Sequence, residues 1–240
     1  MKILCLVSLF FFASVSSAAP TMEKCIARNL KEPVKSVWFV SQSQPQVHFS
    51  DSMGGATSKA YVVPGDLLLV NQDIADSVCA SYTKKGKVRA FGWLKKSAIE
   101  KFDLVDFGSF DVDESQKNLD AANVALKGLA EKLPAVKSWP GHWQDIQQND
   151  VKILKKGSNF KLNLMGINGV IGTGNEDDDS QSMVVTGALA QVKEDPKVND
   201  VCDIVIVGFN NALLATSGAH CLGSGARHEY PQFTGIYWKR

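Results

Sequence analysis

Beyond its first dozen residues this chain has no long apolar run, and a transmembrane helix needs about 20 consecutive apolar residues, so stable membrane insertion is not expected. It also lacks an excess of charge: 26 basic against 25 acidic residues give a formal net charge of +1. Nucleic acid, whose binding rests on neutralising phosphates, is therefore not an expected partner. Histidine is scarce and scattered, at His48, His142, His220 and His228. No two cysteines stand at Cys-x-x-Cys spacing and no histidine lies at ligand spacing from two of them, which argues against zinc. No glycine-rich loop opens a helix to hold phosphates. Ser217, His220 and Cys221 are close in sequence, but no helix follows them to form the strand-to-helix turn on which such a nucleophile commonly sits. No catalytic residue, metal or cofactor is expected. The one dense acidic run, Glu176-Asp177-Asp178-Asp179, lacks the alternation and closing glutamate of an EF-hand loop. It reads as a polar hairpin loop, with calcium or a basic partner as the alternative for residues 172–182.

The long apolar run that does exist comes first. Lys2 precedes Ile3 to Ala13, too short to span a bilayer, and Ser16 and Ala18 suit cleavage before Ala19. Residues 1–18 read as a secretory signal peptide without a lipid-attachment cysteine, which predicts a periplasmic or secreted protein. Without Lys2 the 26 basic residues become 25, equal to the 25 acidic ones. Of the five cysteines, Cys5 falls in the leader, leaving Cys25, Cys79, Cys202 and Cys221. An even number in an exported chain favours disulfides. Cys25 and Cys79 share the N-terminal half and Cys202 and Cys221 flank a predicted hairpin, which favours the pairs Cys25–Cys79 and Cys202–Cys221.

Residues 60–70 alternate apolar side chains into Pro64-Gly65-Asp66 and out into the apolar run Leu67-Leu68-Leu69-Val70, a strand, turn and buried strand. Some twenty residues on, Gly92-Trp93 joins a backbone bend to a large aromatic that packs over a small core. Together these residues, over 36–102, resemble a bacterial SH3-like (SH3b) domain. The resemblance implies a small β-barrel that binds rather than catalyses, with peptidoglycan or its peptide stems as ligand. The candidate ligand set is Tyr61, Asp66, Tyr82 and Trp93: Tyr61 and Tyr82 as its surface members, Phe91 and Trp93 expected to pack in the core. Lys84, Lys85, Lys87 and Arg89 gather on one hairpin, and Lys95-Lys96 follow Trp93. They read as a solvated edge that discourages strand pairing, or as a surface for anionic envelope polymers.

After Phe102 the chain turns acidic and irregular, and residues 115–133 place Leu119, Ala122, Leu126, Leu129 and Leu133 at helical spacing. Asp113 or Ser115 is the candidate cap, Pro134 the terminator, and Gly128 a weak point. From Trp139 five or six strands alternate with turns, Phe209-Asn210-Asn211 among them, which predicts an antiparallel barrel or sandwich. Trp139, Gly141 and Trp143 at the start, with Phe233, Gly235, Tyr237 and Lys239-Arg240 at the end, resemble a small β domain of exported bacterial proteins, some relatives of which occur in proteins linked to lysozyme inhibition. The predicted fold class is all-β: an SH3-like module at 19–103, a linker with a helix at 104–137 and a disulfide-stapled β domain at 138–240. The expected role is an envelope binding protein. The alternatives are an inhibitor or immunity protein docking on a wall-degrading enzyme, and an enzyme with a site between the modules. Whether the modules are docked stays open at this stage.

Overall fold

A computed structural model describes residues 24–30, 36–103, 112–145, 148–166, 169–170, 181–192, 204–217 and 235–240. Residues 1–18, Cys202, Cys221, His220, His228 and the acidic run at 176–179 lie outside the described residues, so the expected leader, the expected Cys202–Cys221 disulfide and the 172–180 part of the expected polar loop do too.

The first module is a seven-stranded antiparallel sheet. Its strands are β1 (Ser36–Val40), β2 (Val47–Ser50), β3 (Thr57–Val62), β4 (Leu67–Ile74), β5 (Ser77–Lys84), β6 (Lys87–Lys95) and β7 (Ile99–Asp103), in the order β3-β2-β6-β5-β4-β1-β7. Irregular registers interrupt the β2–β3, β4–β5 and β5–β6 ladders, and such bulges sharpen the twist of a small sheet. Trp38, Val40, Phe49, Val62, Leu68, Val78, Ala80, Leu94 and Ile99 form the module's own core. His48 lies on β2, opposite Tyr61 of β3.

The second module is an eight-stranded closed antiparallel barrel, more than the five or six strands expected. Its wall runs through β8 (Gly141–Gln144), β9 (Asp150–Lys156), β10 (Asn159–Gly166), β12 (Gln181–Thr186), β13 (Leu189–Val192), β14 (Ile204–Gly208), β15 (Ala212–Ser217) and β16 (Gly235–Lys239), which pairs back with β8. The short β11 (Gly169–Val170) adds to β10. Eight strands leave an interior just wide enough for side chains, and here it is filled by Trp143, Val151, Ile153, Leu162, Met183, Ala190, Ile204, Ile206, Leu213, Ala215 and Tyr237. Burial, and secondly the charge of Asp145, raises the pKa of the Tyr237 phenol.

Strands β1, β14, β15 and β16 and the first three residues of β4 are buried on both faces, as continuous apolar runs such as Leu67-Leu68-Leu69 and Ile204-Val205-Ile206-Val207 require. Alternate residues of each, Val37, Phe39, Leu67, Leu69, Val205, Val207, Ala212, Leu214, Ile236 and Trp238, meet in one core. Helix α1 (Val112–Glu131) supplies Leu126, Leu129 and Ala130 to that core, and Leu133 follows from the turn beyond it. The helix starts before both candidate caps, so Asp113 and Ser115 are helical residues and not caps. It ends three residues short of Pro134, and far from being a loose joint its second half fills the space between sheet and barrel.

Candidate functional site

The structure divides the four candidate ligand residues among three places. Asp66 is 5% exposed. Its Oδ2 accepts the Val63 N–H at 2.9 Å and its Oδ1 accepts Asn210 Nδ2 at 3.2 Å. Burial raises the pKa of its carboxyl, opposed in turn by these two hydrogen bonds and by the charge of Lys84.

What buries Asp66 is the turn between β14 and β15, which seats itself on the Pro64-Gly65-Asp66 turn. Asn210 N–H donates to Gly65 O at 2.9 Å and Asn210 Nδ2 to Pro64 O at 2.9 Å. Asn211 Oδ1 accepts the Leu67 N–H at 2.9 Å, while its Nδ2 donates to Leu67 O at 3.0 Å and Thr83 O at 2.8 Å. Trp238 Nε1 donates to Thr83 Oγ1 at 2.8 Å. Gly65 admits this approach: its φ is +83°, and a Cβ there would stand 2.6 Å from Pro134 Cγ. The turn that carries the SH3-like resemblance is thus occupied by the protein's own second module.

Tyr82, opposite Leu68 in the ladder, is half-buried against the first module's core. Burial, with the nearby Asp66 charge, pushes its phenol pKa up to about 12. It is a protonated hydroxyl throughout the neutral range.

Trp93 is 2% exposed and packs with the Cys25–Cys79 disulfide, Met53 and Ile74, so it is a core residue and no ligand surface. Gly92 before it makes room for β2, since a Cβ there would lie 2.8 Å from Ser50 O. The disulfide holds residues 24–30 across the sheet, where Arg28 N–H donates to Ser81 Oγ at 2.8 Å and Asn71 Nδ2 to Ile26 O at 3.4 Å. Phe91, expected in the core, is 50% exposed; its neighbour across the ladder, Ser81, is the residue that the N-terminal segment covers.

Tyr61 stands apart from the rest. It is 52% exposed on β3, with its ring 5.5 Å from that of His48. The Ser58 carbonyl can only accept, so His48 Nδ1 carries the proton in their 3.0 Å hydrogen bond, and Nε2 accepts from Gln46 Nε2 at 3.1 Å. The imidazole is thus fixed from both sides and presents the Tyr61 phenol ring to solvent.

No protein-family model, curated protein or solved structure matches this chain. On the barrel wall His142, half-buried at the start of β8, has Nε2 3.2 Å from Asp150 Oδ1. An interdomain catalytic site would need this pair to meet further groups such as His220, which lies outside the described residues. No group of three or more His, Cys, Asp or Glu side chains gathers at metal-binding distance among the described residues. Sequence reasoning missed the Asn210-Asn211 plug. Its signal was present: two adjacent amides between apolar strands need buried partners, and an alternation broken by continuous apolar runs means a second covered face.

Proposed function

We propose that the protein is an exported envelope-binding protein whose SH3-like first module recognises peptidoglycan or its peptide stems through the open surface around Tyr61. The observation that carries this reading is the exposed, pre-positioned Tyr61–His48 pair. An aromatic ring held by a packed neighbour supplies stacking area and a hydroxyl at small entropic cost, the usual way a shallow surface holds a sugar or peptide. Asp66 and Trp93 take no part in this surface, because the fold consumes them, and Tyr82 is half-buried against the first module's core.

Co-sedimentation of the exported form with purified sacculi tests the reading. Saturable binding is expected, with Tyr61→Ala weakening it about tenfold, the order of a lost stacking contact; failure of the wild-type protein to sediment with sacculi would sink it. Docking on a wall-degrading enzyme is the second reading, favoured by Val184, 53% exposed on β12 directly after the polar loop. It predicts a stoichiometric protein complex weakened by Val184→Asp and no affinity for the bare wall.

A further inference from the structure

The tip of the β5–β6 hairpin holds an arrangement that folding alone does not favour. Lys84 and Lys87 are directly opposite each other in the ladder, joined by the two-residue turn Lys85-Gly86. Like charges so placed, with Cβ atoms about 5 Å apart, repel and weaken a hairpin. In the turn itself Lys85 has φ +54° and Gly86 +63°, a conformation for which Asn, Asp or Gly is the ordinary first residue. The register then steps between Tyr82 and Thr83: Ala90 faces Tyr82 and Val88 faces Thr83, leaving Arg89 as the extra residue of a bulge, a device that re-aims a side chain.

All four cations are exposed. Elsewhere in this module Lys96 pairs with Asp73 and Lys101 with Asp103, but among the described residues no carboxylate stands at ion-pairing distance from Lys84, Lys85, Lys87 or Arg89. The acid that lowers its own charge cost through Lys84, Asp66, is buried and already held by Val63 and Asn210. Two local penalties and a bulge therefore concentrate positive charge on an exposed tip that no ion pair among the described residues neutralises.

We propose that this tip is a docking surface for a polymer carrying repeated carboxylates, whose anionic groups bridge Lys84 and Lys87 and reach Arg89. The assignment to carboxylates rests on the peptidoglycan reading above, since stem peptides present them; the charge argument does not. A lipid surface fits less well. The tip residues Lys84, Lys85, Gly86 and Lys87 include no apolar side chain to enter a bilayer, and the exposed Phe91 lies four residues along β6 from Lys87.

The test compares the wild-type protein, Lys84→Gln/Lys87→Gln and Lys84→Arg/Lys87→Arg. Each is sedimented with native sacculi and with sacculi whose carboxyls have been converted to neutral amides, and each is titrated with soluble polyglutamate. The glutamine variant should bind native sacculi and polyglutamate about tenfold more weakly, with the arginine variant close to wild type; amidated sacculi should hold the wild type no better than native sacculi hold the glutamine variant. Raising salt from about 50 to about 200 mM should weaken wild-type binding in the same way. Equal binding by the glutamine variant, or indifference to amidation, would overturn the proposal, as would tighter lysine-dependent binding to phosphatidylglycerol vesicles than to polyglutamate. Lysine-dependent capture of polyglutamate without sacculus binding would sink the wall reading and leave the docking surface standing. Sacculus binding that needs Tyr61 and ignores the lysines would do the reverse.

Discussion

Trp93 and Asp66, polar-edged side chains in the stretch that resembles an SH3-like module, have structural roles that can be measured. The Trp93 indole N–H is buried with no hydrogen-bond partner among the described residues. Trp93→Phe removes that unsatisfied donor along with some volume, two effects of opposite sign, and should shift stability by no more than about 1 kcal/mol. Trp93→Ala leaves a cavity against the disulfide and should cost about 3–5 kcal/mol in a urea titration. Asp66 gives a pH signature. Its folded pKa is raised above the ordinary 3.8, so the folded state holds the proton more tightly than the unfolded chain. Its contribution to stability is full below that ordinary value and is lost as pH rises through the folded value. Asp66→Asn should abolish this component, so the wild-type-minus-variant difference in urea midpoints should fall as pH rises above that ordinary value. Unchanged slopes in wild type and variant would show that Asp66 titrates as an ordinary surface acid.

At the scale of elements, the helix and the N-terminal segment are the informative parts. Gly128 is exposed in the helix with open space where a Cβ would go, so Gly128→Ala should stabilise the protein by about 1 kcal/mol. The periodicity of Leu126, Leu129 and Leu133 announced the buried stripe, whereas the helix start was misread because good capping residues, Asp113 and Ser115, occur inside its first turns. A cap is defined by backbone geometry, and a residue type only permits it. Residues 24–30 have no regular structure of their own, so nothing in their sequence predicted a path across β5; only Cys25 did, through its partner. Replacing both Cys25 and Cys79 by Ser should lower stability by about 2–4 kcal/mol, and limited proteolysis should then cut the segment near Lys24 and Arg28 before the rest of the chain unfolds. Resistance equal to wild type would mean that the Arg28 and Asn71 hydrogen bonds suffice.

For the whole molecule the decisive feature is that sheet, helix and barrel close over one core. Separate small β modules on a hinge would unfold in separate steps. A shared core predicts a single transition, with near- and far-ultraviolet dichroism coincident on heating. Asn211→Ala should test the seam most sharply, because it strips a donor from Leu67 O and Thr83 O and an acceptor from the Leu67 N–H. Leaving buried backbone groups unpaired costs about 1–3 kcal/mol each, so a loss of at least about 3 kcal/mol is expected, or a split into two transitions if the modules part before they unfold.

The element types, the antiparallel order of the second module, the β14–β15 turn and the position of the basic hairpin were legible in the sequence. Each of these follows from contacts close along the chain, or from a period that marks one face as buried. Tertiary structure alone decided which surface was left over. Pro64-Gly65-Asp66 carries the same local chemistry whether it meets a ligand or the chain's own Asn210 and Asn211, and Phe91 and Trp93 are two aromatics on one strand until the N-terminal segment covers one of them. Local pattern tells that a polar or aromatic group needs a partner; only packing across more than a hundred residues, as between Leu67 and Asn211 at a separation of 144, says whether that partner is already inside the molecule.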